Sequence, residues 1–445
     1  MPVGSQATSR PNVVFILTDQ QRWDTVGAYG CPLDLTPNLD RMAREGVRFA
    51  NAFTCQPVCA PARACLQTGK YATNNGVWRN GLILSREERT LAHYFKDVGY
   101  DVGYIGKWHL AGTGKNPIPA DLRGGYSDHW QAADLVEFTS HPYETVLFDE
   151  NNQEVRPEGY RVDAMTDLTI DFLQKHTENP FYLFLSYLEP HHQNDVNRYV
   201  APEGYAERYA NAWVPGDLEG RPGDWPSQLP DYYGIIARID ECLGRILGEL
   251  DRLGLAENTV VFFTSDHGSH FRTRNAEYKR SCHEGSIHVP AVVRGPGLPR
   301  GRVVERPVSL IDFPPTLLDA VGAPVPSAME GRSTVPLINE EPDLDWPEEA
   351  FLQISESEVG RAIRTPRWKY AVYAPDKDGW QDSGSDVYVE RYLYNLGSDP
   401  YERVNLVGRP DYVEIAQQLR ERLIARMVAA GEPAPTITPA KYQVW

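Results

Sequence analysis

Short apolar runs alternate with helical patterns along the chain as far as about residue 335. The runs are rich in Val, Ile, Phe and Tyr and do not alternate with polar residues, which is typical of strands buried on both faces. They cover residues 12–18, 101–105, 181–188, 260–264 and 291–294. Strands that alternate with helices predict an α/β domain with a large, mainly parallel sheet flanked by helices.

Capping residues mark the helices between these runs. One predicted helix begins at Thr36 and ends before Gly46, and another begins at Thr90 and ends before Gly99. The clearest covers residues 233–253, where Ile and Leu recur at helical spacing. These helices would cover the faces of the sheet.

The pattern changes near residue 339. Segment 339–349 is acidic and contains proline, which suits a linker. Four strand-like pieces and a helix follow, and this order predicts a small antiparallel sheet covered by a helix. The pieces are 351–354, 362–365, 368–373 and 392–395, with the helix near 412–429. We therefore predict a catalytic α/β domain at 1–338 and a C-terminal α+β subdomain at 339–445.

Composition and charge narrow the classes of function. The chain is 41% hydrophobic and 24% charged, which is ordinary for a globular protein, and it has no apolar tract long enough for a membrane span. A formal net charge of −17 argues against a nucleic-acid-binding surface. The first residues show no export signal, so we expect a cytoplasmic enzyme with reduced cysteines, or a periplasmic or secreted one if a leader was removed.

Polar residues directly follow four of the predicted strands. In open α/β sheets, ligands bind beyond the carboxyl ends of the strands. The four ends together bring two carboxylates, one lysine and four histidines to one rim, a clustering typical of an active site. These side chains, with one amide, belong to Asp19, Gln20, Lys107, His109, His191, His192, Asp266 and His267.

A further motif, Cys59-Ala60-Pro61-Ala62-Arg63, lies in the segment QPVCAPARACLQTGKY. Proline suits the first turn of a helix, so Cys59 should lie at a helix N-terminus, where free backbone amides favour an anionic group. The spacing of Cys55, Cys59 and Cys65 fits no paired zinc knuckle, and a structural zinc site is not expected.

In this order, the motifs resemble the type I sulfatases of the alkaline phosphatase superfamily. The resemblance covers nearly the whole chain, through the strand ending at Asp19, the C-x-P-x-R signature, GKWHL, the PH pair, SDHG, KRSCHEGSIHVPAVVRGPG, RAIRTPRWKYAVY and YLYNLGSDPYERVNLV. It implies an alkaline-phosphatase-like fold and a hydrolase that removes sulfate esters.

The resemblance also implies the fate of the signature cysteine. A dedicated maturation enzyme would oxidise Cys59 to formylglycine (3-oxoalanine), and Arg63 would hold the modified side chain. One hydroxyl of the hydrated aldehyde would attack sulfur, and the second would lose its proton so that sulfate leaves as the aldehyde re-forms.

Roles for the polar rim follow from the same resemblance. Lys107 and Lys279 match the lysines that clamp the sulfate group. His109 would act as the base when the sulfated intermediate breaks down, and His191 would protonate the leaving alcohol. His192, the neighbour of His191, is an alternative for that second role.

Metal ligands are implied at Asp19, Gln20, Asp266 and His267, with the modified Cys59 completing the set. Carboxylate and amide oxygens suit Ca²⁺, which we expect, or Mg²⁺. Gln20 stands where many members have a second Asp, and His267 where some have Asn. Fewer anionic ligands and an imidazole leave Mn²⁺ and Zn²⁺ as alternatives.

Two segments suggest how a substrate is held. The loop HFRTRNAEYKR, residues 270–280, is basic within an acidic protein, and one of its arginines could bind a second anionic group such as a uronate or another sulfate. A tryptophan shortly after the signature helix could stack on a sugar ring, although core packing explains it equally well. The predicted substrate contacts are Trp78, Arg79, Asn80, His192, His270, Arg272 and Arg274.

The preferred function is therefore hydrolysis of a small sulfated substrate, with carbohydrate as the expected class and oligomerisation left open. Phosphonate monoester and phosphodiester hydrolases share this scaffold and are the main alternative. A non-catalytic binder of sulfated glycans would keep Cys59 as a thiol, but the intact metal, lysine and histidine positions argue against it. Phosphomutases and nucleotide pyrophosphatases would use Ser or Thr at the signature position.

Overall fold

A computed structural model describes residues 10–441, and its strands form two main sheets. The strands are β1 (Asn12–Asp19), β2 (Val47–Phe49), β3 (Ala52–Phe53), β4 (Asp101–Lys107), β5 (His129–Ala133), β6 (Leu147–Phe148), β7 (Glu154–Val155), β8 (Phe181–Pro190), β9 (Thr259–Ser265), β10 (Ala291–Arg294), β11 (Arg302–Val304), β12 (Val308–Ser309), β13 (Ala350–Ile354), β14 (Gly360–Arg364), β15 (Trp368–Tyr373), β16 (Val387–Asn395) and β17 (Thr436–Thr438).

Helices cover both faces of the larger sheet, and one helix packs on the smaller sheet. They are α1 (Pro37–Glu45), α2 (Cys59–Thr68), α3 (Ala72–Asn75), α4 (Leu91–Asp97), α5 (Val136–Thr139), α6 (Arg161–Lys175), α7 (Trp225–Arg252), α8 (Glu284–Ile287), α9 (Phe313–Ala320), α10 (Val335–Ile338) and α11 (Val413–Ala429). None of the helices between residues 10 and 441 is both long and apolar enough to cross a bilayer. The expectation about an export leader rests partly on residues 1–9, which lie outside the described residues.

The larger sheet has ten strands in the order β11-β2-β10-β9-β1-β8-β4-β5-β6-β7. β1 lies at its centre, parallel to both β8 and β9, and β4 is parallel to β8 and β5. Every residue of β1, β8 and β9 is buried, which explains their unbroken apolar sequence. The five predicted strands and the α/β class with a mainly parallel sheet are confirmed, although β10 is antiparallel to β9.

The helices agree with their sequence signals, with one difference in length. α1 and α4 lie where their capping residues predict them. α7 ends at Arg252 as expected but begins at Trp225, eight residues before the predicted start at 233. Its first turns carry Pro226 and Pro230 and exposed polar residues, so they lack the apolar periodicity that marks the rest of the helix.

The smaller sheet has five strands in the order β13-β14-β15-β16-β17 and packs against α11. Its strands are antiparallel except for β17, which pairs in parallel with β16. The small antiparallel sheet with a covering helix is therefore confirmed. The predicted domain division at residues 338 and 339 falls between α10 and β13 and stays a prediction. One apolar cluster includes both Phe15 of the large sheet and Phe351 of the small one.

Asp240 of α7 caps the start of α1, a role that the sequence pattern assigned to Thr36. The side chain of Thr36 makes no capping bond, whereas the backbone N–H groups of Asn38 and Leu39 donate to the Asp240 carboxylate over 2.9 and 2.8 Å. Asp240 and Leu39 are buried and Asn38 is half-buried, so water can replace the carboxylate only in part. The carboxylate thus joins α7 to α1.

We expect Asp240→Ala to lower the free energy of unfolding by about 2–3 kcal/mol, because it leaves the buried N–H of Leu39 and the half-buried N–H of Asn38 without their acceptor. Chemical denaturation would measure the change. Asp251→Ala removes an exposed carboxylate from the same helix and should change stability by no more than about 0.5 kcal/mol. Equal effects of the two substitutions would contradict the capping role.

Candidate active site

The carboxyl ends of β1, β4, β8 and β9 meet the start of α2 at one place in the larger sheet. Cys59 is the first residue of α2, and every residue of this helix is buried. Val58 before it is extended, so the chain turns into the helix at the cysteine itself. The predicted position of Cys59 at a helix N-terminus is confirmed.

Three polar groups lie close to the Cys59 sulfur. Lys279 Nζ is 2.9 Å from Sγ, His267 Nε2 is 3.2 Å away and Asp19 Oδ1 is 3.5 Å away. Burial and the Asp19 carboxylate would raise the pKa of the Cys59 thiol, but Lys107, Lys279 and a hydrogen bond with His109 bring it below its ordinary value. The site therefore stabilises negative charge on this side chain.

The metal ligands implied by the sequence lie together. Ligand atoms of Asp19, Cys59, Asp266 and His267 are all within 4.8 Å of one another, and all four residues are buried. Burial and the neighbouring Asp19 raise the pKa of Asp266 to about 7. A divalent cation held by both carboxylates would offset this repulsion, so the donor set fits such an ion.

Gln20 faces the same cluster in a left-handed backbone conformation, with φ of 76°. Its Nε2 donates to the hydroxyl of Tyr199 over 2.5 Å, which leaves Oε1 3.3 Å from Lys279 Nζ. The amide oxygen is therefore held toward Lys279, whose Nζ is 4.0 Å from Asp19 Oδ1, and it is a candidate ligand beside the carboxylates. Two carboxylates, an amide oxygen and one imidazole suit Ca²⁺ or Mg²⁺ and do not exclude Mn²⁺.

Two buried cations hold the carboxylates in position. Arg63 Nη2 is 3.1 Å from Asp19 Oδ2, and its Nε is 3.3 Å from Asp266 Oδ2. Lys107 Nζ lies 2.8 Å from Asp19 Oδ2 and 3.0 Å from Glu137 Oε1. Burial would lower the pKa of Lys107, but Asp19 and Glu137 keep it above its ordinary value, so the lysine stays charged.

A cavity of about 510 Å³ opens in front of Cys59. Its volume lies within the range of about 300–1,000 Å³ that is common for small-ligand sites. Histidines and Lys279 form its inner wall, and an exposed tryptophan forms part of its rim. The site residues among those that line it are Cys59, Asn80, His109, His191, His192 and Lys279.

The histidine pair is held in one orientation. His191 Nδ1 lies 2.6 Å from the carbonyl oxygen of His192, which leaves Nε2 of His191 for a substrate. The two rings stack with centroids 4.6 Å apart, and the His192 ring also packs against Tyr278. Burial and the charge of Lys279 lower the pKa of His191, and the same two causes lower that of His192 to about 3.

Two side chains of the basic loop at 270–280 bond to backbone carbonyl groups of the protein. His270 is buried with Nε2 3.1 Å from the Lys279 carbonyl oxygen, and Arg274 donates to the carbonyl oxygens of Glu402 and Tyr401 over 2.9 Å each. The predicted substrate contacts of His270 and Arg274 stay predictions, and in the structure His270 bonds within the loop while Arg274 joins the loop to residues 401 and 402.

The other residues predicted to contact the substrate differ in their burial and in whether they line the cavity. Arg272 packs over the Tyr278 ring at 4.6 Å and donates to Asn197 over 2.9 Å, so its charge is partly engaged. Trp78 is partly buried against the core, and Arg79 packs on it at 5.4 Å. Asn80 lines the cavity, with its Oδ1 accepting from the backbone N–H of Ala60. Of the segment 78–80, only Asn80 is among the cavity-lining residues.

Sequence reasoning missed three residues of the site. Glu137 holds Lys107 from the short helix α5, Tyr199 holds Gln20, and Trp380 stands on the cavity rim. Each is an isolated residue on a loop or single helical turn, without a motif or a periodic pattern around it. His283, next to Cys282, is buried with Nε2 3.2 Å from the Tyr394 hydroxyl, beside the smaller sheet.

Comparison with known proteins agrees with this geometry. The family model "Sulfatase" matches residues 11–323, and the model "N-sulphoglucosamine sulphohydrolase, C-terminal" matches residues 276–429. An ulvan-active sulfatase from Formosa agariphila is 32% identical over 95% of this chain and 82% of its own. An N-acetylglucosamine-6-O-sulfatase from Bacteroides thetaiotaomicron is 26% identical over 94% of this chain and 86% of its own.

A solved structure extends the similarity to three dimensions. The YidJ protein from Bacteroides fragilis superposes with a TM-score of 0.82 and 26% identity, covering 97% of this chain and 98% of its own. The matched regions include the signature cysteine, the strand ends around it and the smaller sheet. The chain therefore belongs to the sulfatase family of the alkaline phosphatase superfamily, and it is a sulfuric ester hydrolase.

Proposed function

We propose that the protein hydrolyses the sulfate ester of a small sulfated carbohydrate, using a formylglycine formed from Cys59 and a bound divalent metal. The observation that carries the proposal is the surroundings of the Cys59 side chain. A lysine, a histidine and a carboxylate lie within 3.5 Å of its sulfur, at the bottom of the cavity. An oxygen nucleophile on the same carbon would face all three groups.

Cys59 and its neighbours supply the nucleophile. The hydrate of formylglycine has two hydroxyls on one carbon, so one can attack sulfur and the other can later release the sulfate. Lys279 Nζ is 2.9 Å from the position of the sulfur and would hold negative charge there. When bound, a divalent cation between Asp19 and Asp266 would polarise the sulfate oxygens and favour the ionised hydroxyl. We propose Ca²⁺, with Mg²⁺ or Mn²⁺ as alternatives.

The histidines of the inner cavity wall would transfer the protons of the reaction. Nε2 of His191 faces the cavity because Nδ1 is engaged by the His192 carbonyl, so the imidazolium form of His191 would give a proton to the leaving alcohol. Burial and Lys279 lower the pKa of His191, so this role requires the negative charge of the bound sulfate to favour the imidazolium. His109 lines the cavity on the side of Lys107 and would take the proton when sulfate is released. Lys107 and Lys279 stabilise the charge that develops on the transferred group.

Carbohydrate is proposed as the substrate class for two reasons. The ulvan-active and N-acetylglucosamine-6-O relatives are named for carbohydrate substrates. The cavity also combines charged and amide groups near Cys59 with an aromatic ring at its rim, which suits a polar ring with apolar C–H faces. Phosphonate monoester or phosphodiester hydrolysis on the same scaffold is the alternative.

The test is peptide mass spectrometry across Cys59, on protein made together with a formylglycine-generating enzyme, combined with hydrolysis assays. We expect a mass loss of about 18 Da at Cys59, and faster release of sulfate from sulfate esters than of phosphonate from phosphonate esters. A chelator should remove the activity and Ca²⁺ should restore it. Full conversion with turnover of phosphonate esters alone would favour the alternative, and an unmodified thiol would exclude this mechanism.

A further inference from the structure

The rim of the cavity includes one aromatic residue from the C-terminal part of the chain. Trp380 lies in the loop between β15 and β16, far in sequence from Cys59, yet both line the same cavity. It is 41% exposed, although large aromatic side chains are usually buried. A side chain of this kind at the mouth of a site suggests contact with a ligand.

The loop holds Trp380 in a fixed place. The backbone N–H of Trp380 donates to Asp378 Oδ1 over 2.7 Å, and the N–H of Glu356 donates to the Gly379 carbonyl over 2.8 Å. A Cβ atom at Gly379 would lie 2.8 Å from the Glu356 nitrogen, so only glycine allows this close approach. The ring is therefore presented by a turn packed tightly against the neighbouring backbone.

Glu356 joins this turn to the rest of the rim. Its Oε1 accepts from the backbone N–H of Asn80 over 2.7 Å, and its Oε2 pairs with Arg280 Nε at 2.6 Å. The Arg280 guanidinium lies 5.4 Å from the centre of the Trp380 ring. Through its buried carboxylate Glu356 fixes Asn80 and Arg280, and through its backbone N–H it fixes the turn that carries Trp380, so one residue positions three distant parts of the rim relative to one another.

Charge at the rim is already balanced. Arg280 pairs with Glu356 and also with Glu277, whose Oε1 is 3.2 Å from Arg280 Nη1. Lys279, the next residue in the chain, points inward to Cys59 instead. Among the described residues that line the cavity, Arg280 is thus already paired and Lys279 lies at the bottom, so the rim offers an aromatic face rather than a site for a second anion.

We propose that Trp380 and the turn that carries it form an outer subsite, which stacks on the face of a neutral sugar ring next to the sulfated ring. The inference rests on the proposed function and deepens it, because it names what lies beside the sulfated residue. The apolar C–H face of a sugar can pack on the indole, and its hydroxyls can meet Asn80 and Glu277 at the same rim. Trp380 is a specificity-determining residue in this scheme.

The experiment compares kcat/KM for three substrates on wild type and Trp380→Ala. The substrates are an aryl sulfate, a monosaccharide sulfate, and a disaccharide in which a neutral sugar is linked to that same sulfated monosaccharide. We expect wild type to prefer the disaccharide to the monosaccharide, and Trp380→Ala to lower kcat/KM for the disaccharide by about 10-fold or more. Values for the aryl sulfate and the monosaccharide should change less than about 2-fold.

Two further variants separate stacking from folding. Trp380→Phe keeps an aromatic face and should retain most of the disaccharide preference. Tyr401→Ala removes another exposed aromatic side chain, one that is absent from the cavity lining, and should leave all three values unchanged.

An equal loss on all three substrates in Trp380→Ala, or an unchanged disaccharide preference, would overturn the inference. Turnover of the aryl sulfate without either saccharide would instead refute the carbohydrate proposal, and the outer subsite with it.

Discussion

Replacing Cys59 with alanine is expected to lower kcat for sulfate-ester hydrolysis by about 10⁴-fold or more, with the fold retained. The substitution removes the thiol that the proposed oxidation to formylglycine requires, so the hydrated aldehyde that attacks sulfur cannot form, and the surrounding lysine, histidine and carboxylate cannot replace it. Cys59 is buried but small, so the loss of one sulfur atom should cost little stability. Sulfate release from an aryl sulfate would measure the change in rate.

Cys65 provides a matched control on the same helix. It is also fully buried, but it contacts Asn75, with Nδ2 of that residue 3.7 Å from its sulfur, and it lies outside the cavity lining. Burial and the neighbouring Cys55 raise the pKa of its thiol, opposite to the shift at Cys59. Cys65→Ala should keep kcat within about 3-fold of wild type. Comparable activity of both variants would contradict a covalent role for Cys59.

Replacing Lys369 with methionine is expected to lower the free energy of unfolding by about 3–5 kcal/mol, because it breaks a buried ion-pair cluster. Lys369 is fully buried on β15, with Nζ 2.7 Å from Glu284 Oε1 and in contact with Glu402. Glu284 keeps Arg364, with the two side chains 3.2 Å apart, but Glu402 loses its closest cation. Chemical denaturation of the two proteins would measure the difference.

The loss should depend on pH. Burial already raises the pKa of the Glu402 carboxyl, and Lys369 opposes that rise. Without the lysine the pKa in the folded protein moves further above its unfolded value, so folding favours the protonated acid. The variant should therefore be closest to wild type at low pH and should lose stability as the pH rises through the folded-state pKa.

Lys377→Met is the control, since that lysine is exposed and lies 3.9 Å from Asp382. Surface pairs of this kind contribute at most about 1 kcal/mol. The double substitution Lys369→Met with Glu402→Gln should recover part of the loss, because the remaining side chain is then neutral. If Lys369→Met were as stable as Lys377→Met at neutral pH, the cluster would not hold the smaller sheet to the segment around Glu284.

The sequence predicted the elements whose burial or capping shows in consecutive residues of the chain. β1, β8 and β9 are buried on both faces, so their apolar runs are continuous and easy to recognise. β17 has three residues, with only Ile437 buried, and its pairing with β16 depends on a distant partner. The first turns of α7 carry prolines and polar residues, so their sequence does not indicate a helix. They are helical because they extend the long helix that follows them.

The same distinction applies to the site. Asp19, Lys107 and Asp266 could be placed together because the ends of neighbouring parallel strands meet at one edge. We predicted that His270 and Arg274 contact the substrate because a sequence shows which side chains are basic but not which groups they bond to. The partner of Arg274 is the backbone at Glu402, 128 residues away. Trp380 gave no signal for the same reason, since its position depends on contacts with Glu356.

The complete burial of α2 has a consequence for biosynthesis. The maturation enzyme of the proposed function would have to bind the chain around Cys59, yet in the folded protein the whole helix is enclosed between other elements. The proposed oxidation and folding would therefore compete in time, because Cys59 lines the cavity in the folded protein but an enzyme can bind the chain around it only while this segment is still unfolded. A chain that folds before it meets the maturation enzyme would become a stable but permanently inactive product, so the specific activity of a preparation would reflect the relative rates of these two processes.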